Sequence, residues 1–282
     1  MHNPLSILIK AAVILLPFLL LVLFSCEEKI ELELDDSYER LVVEGTVTDR
    51  DTNHRIKLSK TAPYYTANQT PRVSAAIVSI SDGNNTYTFS EADPGIYESD
   101  ISFAGVHGKT YTLTIDLDEP VNGVSVYTAT DSMPEKLLLD SIRAEPLPSP
   151  FNQKDVQVKI WGQEPSDPGN CYIWDLYVNG EPLTDTLNQK SYTDDELVNG
   201  SYIPGLPVFF YDGQDNDEIT VVTHSITRDY FEFIAAFRQE ASSGGGQFSG
   251  PPANVRGNIS NGGLGFFSAM ALSRNHTVYQ KP

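Results

Sequence analysis

The densest run of cation-ligating side chains is Asp212-Gly213-Gln214-Asp215-Asn216-Asp217-Glu218. Several carboxylates and an amide oxygen in one short loop suit calcium, a hard cation that takes roughly six to eight oxygens. Asp212, Asp215 and Asp217 are the candidate ligands. The spacing is not that of an EF-hand, which sets glycine and glutamate at fixed later positions. A polar Gly/Asn/Asp turn between strands accounts for the same residues and is the preferred reading. Thr193-Asp194-Asp195-Glu196 reads the same way.

Catalysis has fewer footholds. Beyond the N-terminal leader the histidines are His54, His107, His224 and His276, and none lies within four residues of another histidine or of a cysteine. That excludes a local zinc pattern. A Ser-His-acid site needs no proximity in sequence, so a hydrolase stays open as an alternative, although no Gly-x-Ser-x-Gly elbow is present to hold a serine. Gly105-Val106-His107-Gly108-Lys109-Thr110 has Phe103 where a phosphate loop requires its first glycine, and it feeds a strand instead of a helix. Turn chemistry explains Gly262-Gly263-Leu264-Gly265. No cofactor is expected.

Aromatic side chains offer a third chemistry, stacking on sugar rings. Tyr64, Tyr65, Trp161, Tyr172, Trp174 and Tyr177 are the candidates. Alternation places Tyr172, Trp174 and Leu176 on one face of a strand and Ile173, Asp175 and Tyr177 on the other, and one of those faces belongs to the core. Tyr64 and Tyr65 follow Pro63 between turn-like segments, which makes them the expected exposed pair and the site of a glycan-binding alternative.

The two cysteines are Cys26 and Cys171. Cys26 closes an apolar run, Ala11 to Phe24, preceded by Lys10. The run falls short of the roughly 20 residues that span a bilayer and has the length of a signal peptide. Leu23-Phe24-Ser25-Cys26 is similar to a bacterial lipobox, where a small residue precedes a cysteine lipidated on its thiol. Residues 1–25 are therefore expected to be a lipoprotein signal peptide, with Cys26 carrying the lipid, palmitate included, and anchoring the chain to a membrane. Cys171 then has no disulfide partner. It sits in a strand-like run and reads as buried filler.

Removing residues 1–25 takes away one lysine and no acid, leaving 18 basic against 38 acidic side chains and a formal charge of −20. Such a surface repels nucleic acid and anionic headgroups, so neither is an expected partner.

The elements that position these residues are mostly strands. After an acidic tether at 26–38, short β-branched runs recur about every 8–12 residues with no helical period, the pattern of a β-sandwich over 39–132. Met133-Pro134 interrupts the strands, and a second β-rich domain is expected over 133–282, with a long loop or excursion from Leu183 to Gly205. One amphipathic helix stands out: Thr227 as N-cap, Tyr230, Phe233, Ile234 and Phe237 on one face, and Arg238 in the last turn. Leu264 to Met270 reads as a closing strand.

The whole pattern resembles the DUF4249 family of lipoproteins from Bacteroidetes. The likeness rests on the lipobox, Leu41-Val42-Val43-Glu44-Gly45, Ala76 to Asp82, Gly108 to Leu113, Ser225-Ile226 with the Tyr230 helix, Pro251 to Val255, Asn258-Ile259 and Gly263 to Ser268. It implies an immunoglobulin-like or transthyretin-like N-terminal sandwich and a second β-rich domain. It also implies an outer-membrane protein that partners a TonB-dependent receptor and carries no catalytic residues. Glu27-Glu28 is similar to a surface-export signal, with Lys29 interrupting it. The function expected on this basis is a lipid-anchored accessory or ligand-capturing protein of the outer membrane.

Overall fold

The computed structural model describes residues 39–62, 70–147, 154–243 and 255–281. Cys26, Tyr64 and Tyr65 lie outside the described residues. Seven strands come first: β1 (Leu41–Thr48), β2 (Arg55–Lys60), β3 (Ala76–Ser81), β4 (Thr86–Asp93), β5 (Ile96–Ser99), β6 (Thr110–Val121) and β7 (Val124–Ser132). Period-2 alternation explains them: Leu41, Val43 and Val47 of β1 and Tyr111, Leu113, Ile115 and Leu117 of β6 turn into one core while the residues between them face outward. Asp82 turns the β3–β4 hairpin by accepting the amides of Asn84 and Asn85 at 2.9 and 2.7 Å. Burial alone would raise its pKa, but the Lys109 ammonium at 2.7 Å and those amides hold the carboxyl well below the usual range.

Then follow β8 (Leu138–Pro146), β9 (Val156–Gln163), β10 (Cys171–Val178), β11 (Glu181–Pro182), β12 (Ser191–Asp194), β13 (Tyr202–Tyr211) and β14 (Glu218–Ile226). Helix α1 (Arg228–Ser243) and β15 (Leu264–Val278) complete the described elements. Asn179 and Gly180 both take positive φ, 53° and 85°, between β10 and β11, the backbone that a two-residue hairpin turn demands.

The fold is mainly β, with one large mixed sheet and one small sheet. The large sheet runs β11-β10-β14-β15-β1-β2-β5-β4-β3-β6-β7, with β12 also paired to β10. Its one parallel pair among the described residues is β1 with β15, in register from Val42 opposite Leu264 to Thr48 opposite Met270. The sheet curls until β7 approaches the residues leading into β15. Side chains bridge that gap: Asn258 and Asn261 donate to the carbonyls of Thr130 and Val126, at 3.0 and 2.8 Å. The small sheet, β13-β9-β8, lies over β10 and β14.

Three hydrophobic clusters result. The first fills the curled β1–β7 portion and takes Phe267, Ala269 and Ala271 from β15. The second lies between the small sheet and Tyr172, Trp174 and Leu176 of β10. The third packs Ile234 of α1 against Cys171, Ile173, Ile226 and Met270. Along the chain, Met133 belongs to the first cluster and Leu137 to the second.

Two local expectations are corrected. Leu183 to Gly205 is not one loop, because Ser191–Asp194 pairs with β10 and Tyr202 opens β13. Arg238 is not in the last turn, since α1 continues to Ser243; its guanidinium instead donates to the carbonyls of Lys190 and Asn188 and covers the Tyr192 ring at 4.4 Å.

Candidate functional site

Thr227 starts α1 as its sequence requires, accepting the Tyr230 amide on Oγ1 at 3.4 Å. From there the helix carries an apolar stripe wider than the core beneath it can absorb. Ile234 is buried, Tyr230 and Phe233 are half-buried, and Phe237 remains 42% exposed. The Phe266 ring of β15 meets Tyr230 at 4.8 Å and Phe233 at 5.1 Å between centroids. Beside these rings the helix stands off the β1/β15 pair and leaves a cavity of about 770 Å³.

Val42, Leu264, Phe266, Phe233 and Phe237 give this pocket its apolar walls, with Glu44 and Glu240 among its polar groups. Gly265 lines it because no other residue fits there. Its φ is +87°, and a Cβ at that position would fall 2.0 Å from the Val43 carbonyl oxygen of the parallel partner strand. The volume and the mostly apolar lining are those of a small-molecule site. Burial pushes the Tyr230 phenol up to about 12, with Asp131 and Glu44 reinforcing the shift, so this lining ring stays neutral.

A polar cluster occupies the same side of the sheet. Asp175 accepts hydrogen bonds or ion pairs from Lys190 Nζ at 2.7 Å, His224 Nε2 at 2.8 Å and Thr184 Oγ1 at 3.2 Å. Burial would raise the Asp175 pKa, but His224 and Lys190 bring it below its ordinary value. A histidine beside a carboxylate is two parts of a hydrolytic triad. The third is not assembled: no hydrogen bond joins a serine to His224 among the described residues, and Ser225 Oγ is taken by the Leu137 amide at 3.0 Å. His54 is buried against the Phe103 carbonyl at 2.9 Å, and burial lowers its pKa. His107 and His276 are exposed.

The other sequence candidates are dispersed. Asp217 is buried and accepts from Asn179 Nδ2 at 2.9 Å and the Gln214 amide at 2.7 Å. Asp215 accepts the Lys281 amide at 2.9 Å, and Asp212 faces Lys154 at 3.6 Å. Among the described residues no group of three or more His, Cys, Asp or Glu is arranged to hold a metal ion. Tyr172 and Trp174 are core residues, whereas Trp161 and Tyr177 are half-buried. Cys171 is buried, and burial pushes its thiol up to about 11. No helix among the described residues is long and apolar enough to cross a membrane.

Sequence reasoning found the helical stripe but not the pocket. The signal was Phe237, one turn past Phe233, and Phe266 in a strand read only as closing the sheet. The buried carboxylates Asp131, Glu164 and Asp175 were also missed, because burial of an acid leaves no mark in the pattern of apolar residues.

No curated protein matches the chain. Among solved structures, a chain titled "Cytokine receptor complex - Crystal form 1A" aligns over 82% of this chain and 94% of that chain, at 12% identity and a TM-score of 0.23, too slight a likeness to carry an argument. A family model described as Domain of unknown function (DUF4249) matches residues 27–275, most of the chain, and the protein belongs to that family.

Proposed function

We propose that this protein is a non-catalytic accessory of the outer membrane, anchored by lipid on Cys26, that captures an apolar small ligand for a TonB-dependent receptor. The observation that carries the capture role is the 770 Å³ aromatic-walled pocket between α1 and the β1/β15 pair. Support for the anchor comes from Leu23-Phe24-Ser25-Cys26 after an apolar run too short to span a bilayer. One acyl chain binds a membrane only marginally, whereas several hold a protein stably. Confinement to the membrane raises the effective concentration of the β-fold near a receptor in the same bilayer.

The pocket is tested with N-phenyl-1-naphthylamine, a neutral apolar dye that brightens when it leaves water. The full chain should enhance its fluorescence, and Val42→Trp, which fills the cavity from β1, should weaken binding at least tenfold. Equal enhancement by both proteins would overturn the pocket assignment. The anchor and partner are tested together. Cys26→Ser should abolish labelled palmitate incorporation and release the protein from membranes, and the wild-type chain should co-purify with a receptor after mild detergent extraction. Unchanged membrane retention in Cys26→Ser, or a receptor-free monomer across growth conditions, would remove this part of the reading.

A further inference from the structure

The small sheet has an inner face in the second core and an outer face that no described element covers. On β9 the outward residues are Gln157, Lys159, Trp161 and Gln163, alternating with buried Val156, Val158 and Ile160. Trp161 is seated on purpose. The β13–β9 register shifts between Pro204 and Leu206, and the residue in that bulge is Gly205, at φ +98°. A Cβ on Gly205 would lie 2.7 Å from Cζ2 of the Trp161 indole, so only glycine leaves room for the ring. The Arg143 guanidinium lies 5.0 Å from the indole centroid.

Tyr202 begins β13 opposite Gln163, two residues along β9 from Trp161, and is 50% exposed. Phe210, 46% exposed, faces Gln157, four residues along β9 from Trp161 and about 13 Å away at the ordinary strand rise. One seated ring and two half-exposed ones therefore share this face.

Charge selects the ligand. The face carries Asp140 and Glu145 against Arg143 and Lys159, two of each sign, in a chain of net charge −19. Lys159 pairs with Glu145 at 2.8 Å, and Arg143 lies over Trp161. A charged ligand would find no surplus of the opposite sign. A purely apolar one would strand the polar groups between the rings, such as the Ser141 hydroxyl in register with Trp161. A molecule with C–H faces and hydroxyl edges fits both.

We infer that the outer face of β8, β9 and β13 binds a neutral oligosaccharide, with Trp161 and Tyr202 as the stacking rings. This goes beyond the pocket reading and does not depend on it.

Native gels cast with xyloglucan, galactomannan or laminarin test it on the full chain in detergent, with heparin as the polyanion control. At least one neutral polysaccharide should retard the wild type and heparin should not. Trp161→Ala and Tyr202→Ala should each weaken retention at least tenfold, and Tyr202→Phe, which keeps the ring, only a few-fold. Far-ultraviolet circular dichroism checks folding, and the half-exposed Tyr202 serves if Trp161→Ala melts early. Val42→Trp should leave retention unchanged, which separates this surface from the pocket. Three results would overturn the assignment: no retardation by any neutral polysaccharide, retention that survives both alanine changes, or loss of a co-purifying protein in those variants without any glycan binding.

Discussion

The Asp131 carboxylate accepts the backbone amide of Ala269 at 2.8 Å, joining the last strand of the curled N-terminal portion to the middle of β15. The same side chain accepts the Ser132 amide at 3.0 Å. One buried acid therefore ties β7 to β15. Burial dominates its titration and pushes it up to about 6, against the amide donors, with Asp229 adding to the rise.

The sign follows from that direction. A carboxyl whose pKa is higher folded than unfolded favours folding in its protonated form, so its contribution is complete below the unfolded value of 3.8 and is lost as pH rises through about 6. The span corresponds to at most about 3 kcal/mol. Urea midpoints should thus decline between pH 4 and 7, and Asp131→Asn should flatten that decline. Parallel profiles for the two proteins would mean that Asp131 does not titrate in this window.

Asp175 should behave in the opposite sense. Its pKa is depressed in the fold, because His224 and Lys190 outweigh the burial that would raise it. Its contribution is present above the unfolded value and disappears as pH falls through the lower folded one. Asp175→Asn leaves the Lys190 ammonium and the His224 ring facing a neutral amide in a largely buried site, a loss of about 3 kcal/mol. Chemical denaturation at pH 7 measures it. His224→Gln should cost less, since Lys190 and Thr184 still satisfy the carboxylate.

The strands were legible in the sequence because their inward and outward residues alternate; Leu41 to Thr48 and Thr110 to Val121 each present one buried face. The helix was legible for the matching reason, apolar residues at its own period after a capping threonine. What did not show were relations between distant segments. Nothing in Leu264 to Val278 announces that it runs parallel to β1 while its C-terminal half pairs antiparallel with β14. β10 misled differently, since both its faces are buried and alternation suggested only one. The pocket depends on those pairings, so it could not be read before them. Gly205 is a clearer lesson: as a letter it is a turn residue, and only the bulge opposite Trp161 gives it a purpose.

Cys171 should be chemically silent. Its thiol is buried and pushed up to about 11, chiefly by burial, so the thiolate that alkylating agents attack is scarce at neutral pH. Iodoacetamide at pH 8 should leave it unmodified in the native protein and modify it fully in urea, as read by peptide mass. Rapid native labelling would mean that the start of β10 under α1 opens readily.

The calcium reading of the Asp212–Glu218 loop makes a sharp contrast. Three carboxylates gathered to hold a divalent cation would repel one another without it, and metal removal would loosen the loop. Here Asp217 is occupied by Asn179 and the Gln214 amide, Asp215 by the Lys281 amide, and Asp212 lies beside Lys154. The loop is thus held by the protein's own donors, which also tie the end of β15 to the β13–β14 turn. Millimolar calcium or excess chelator should therefore shift the melting temperature by less than about 1 °C, whereas Asp217→Ala, which strands the Asn179 amide and the Gln214 N–H, should lower stability by about 2 kcal/mol. A calcium-dependent rise of several degrees that Asp217→Ala abolishes would restore the cation site and reassign these hydrogen bonds to the metal-free state.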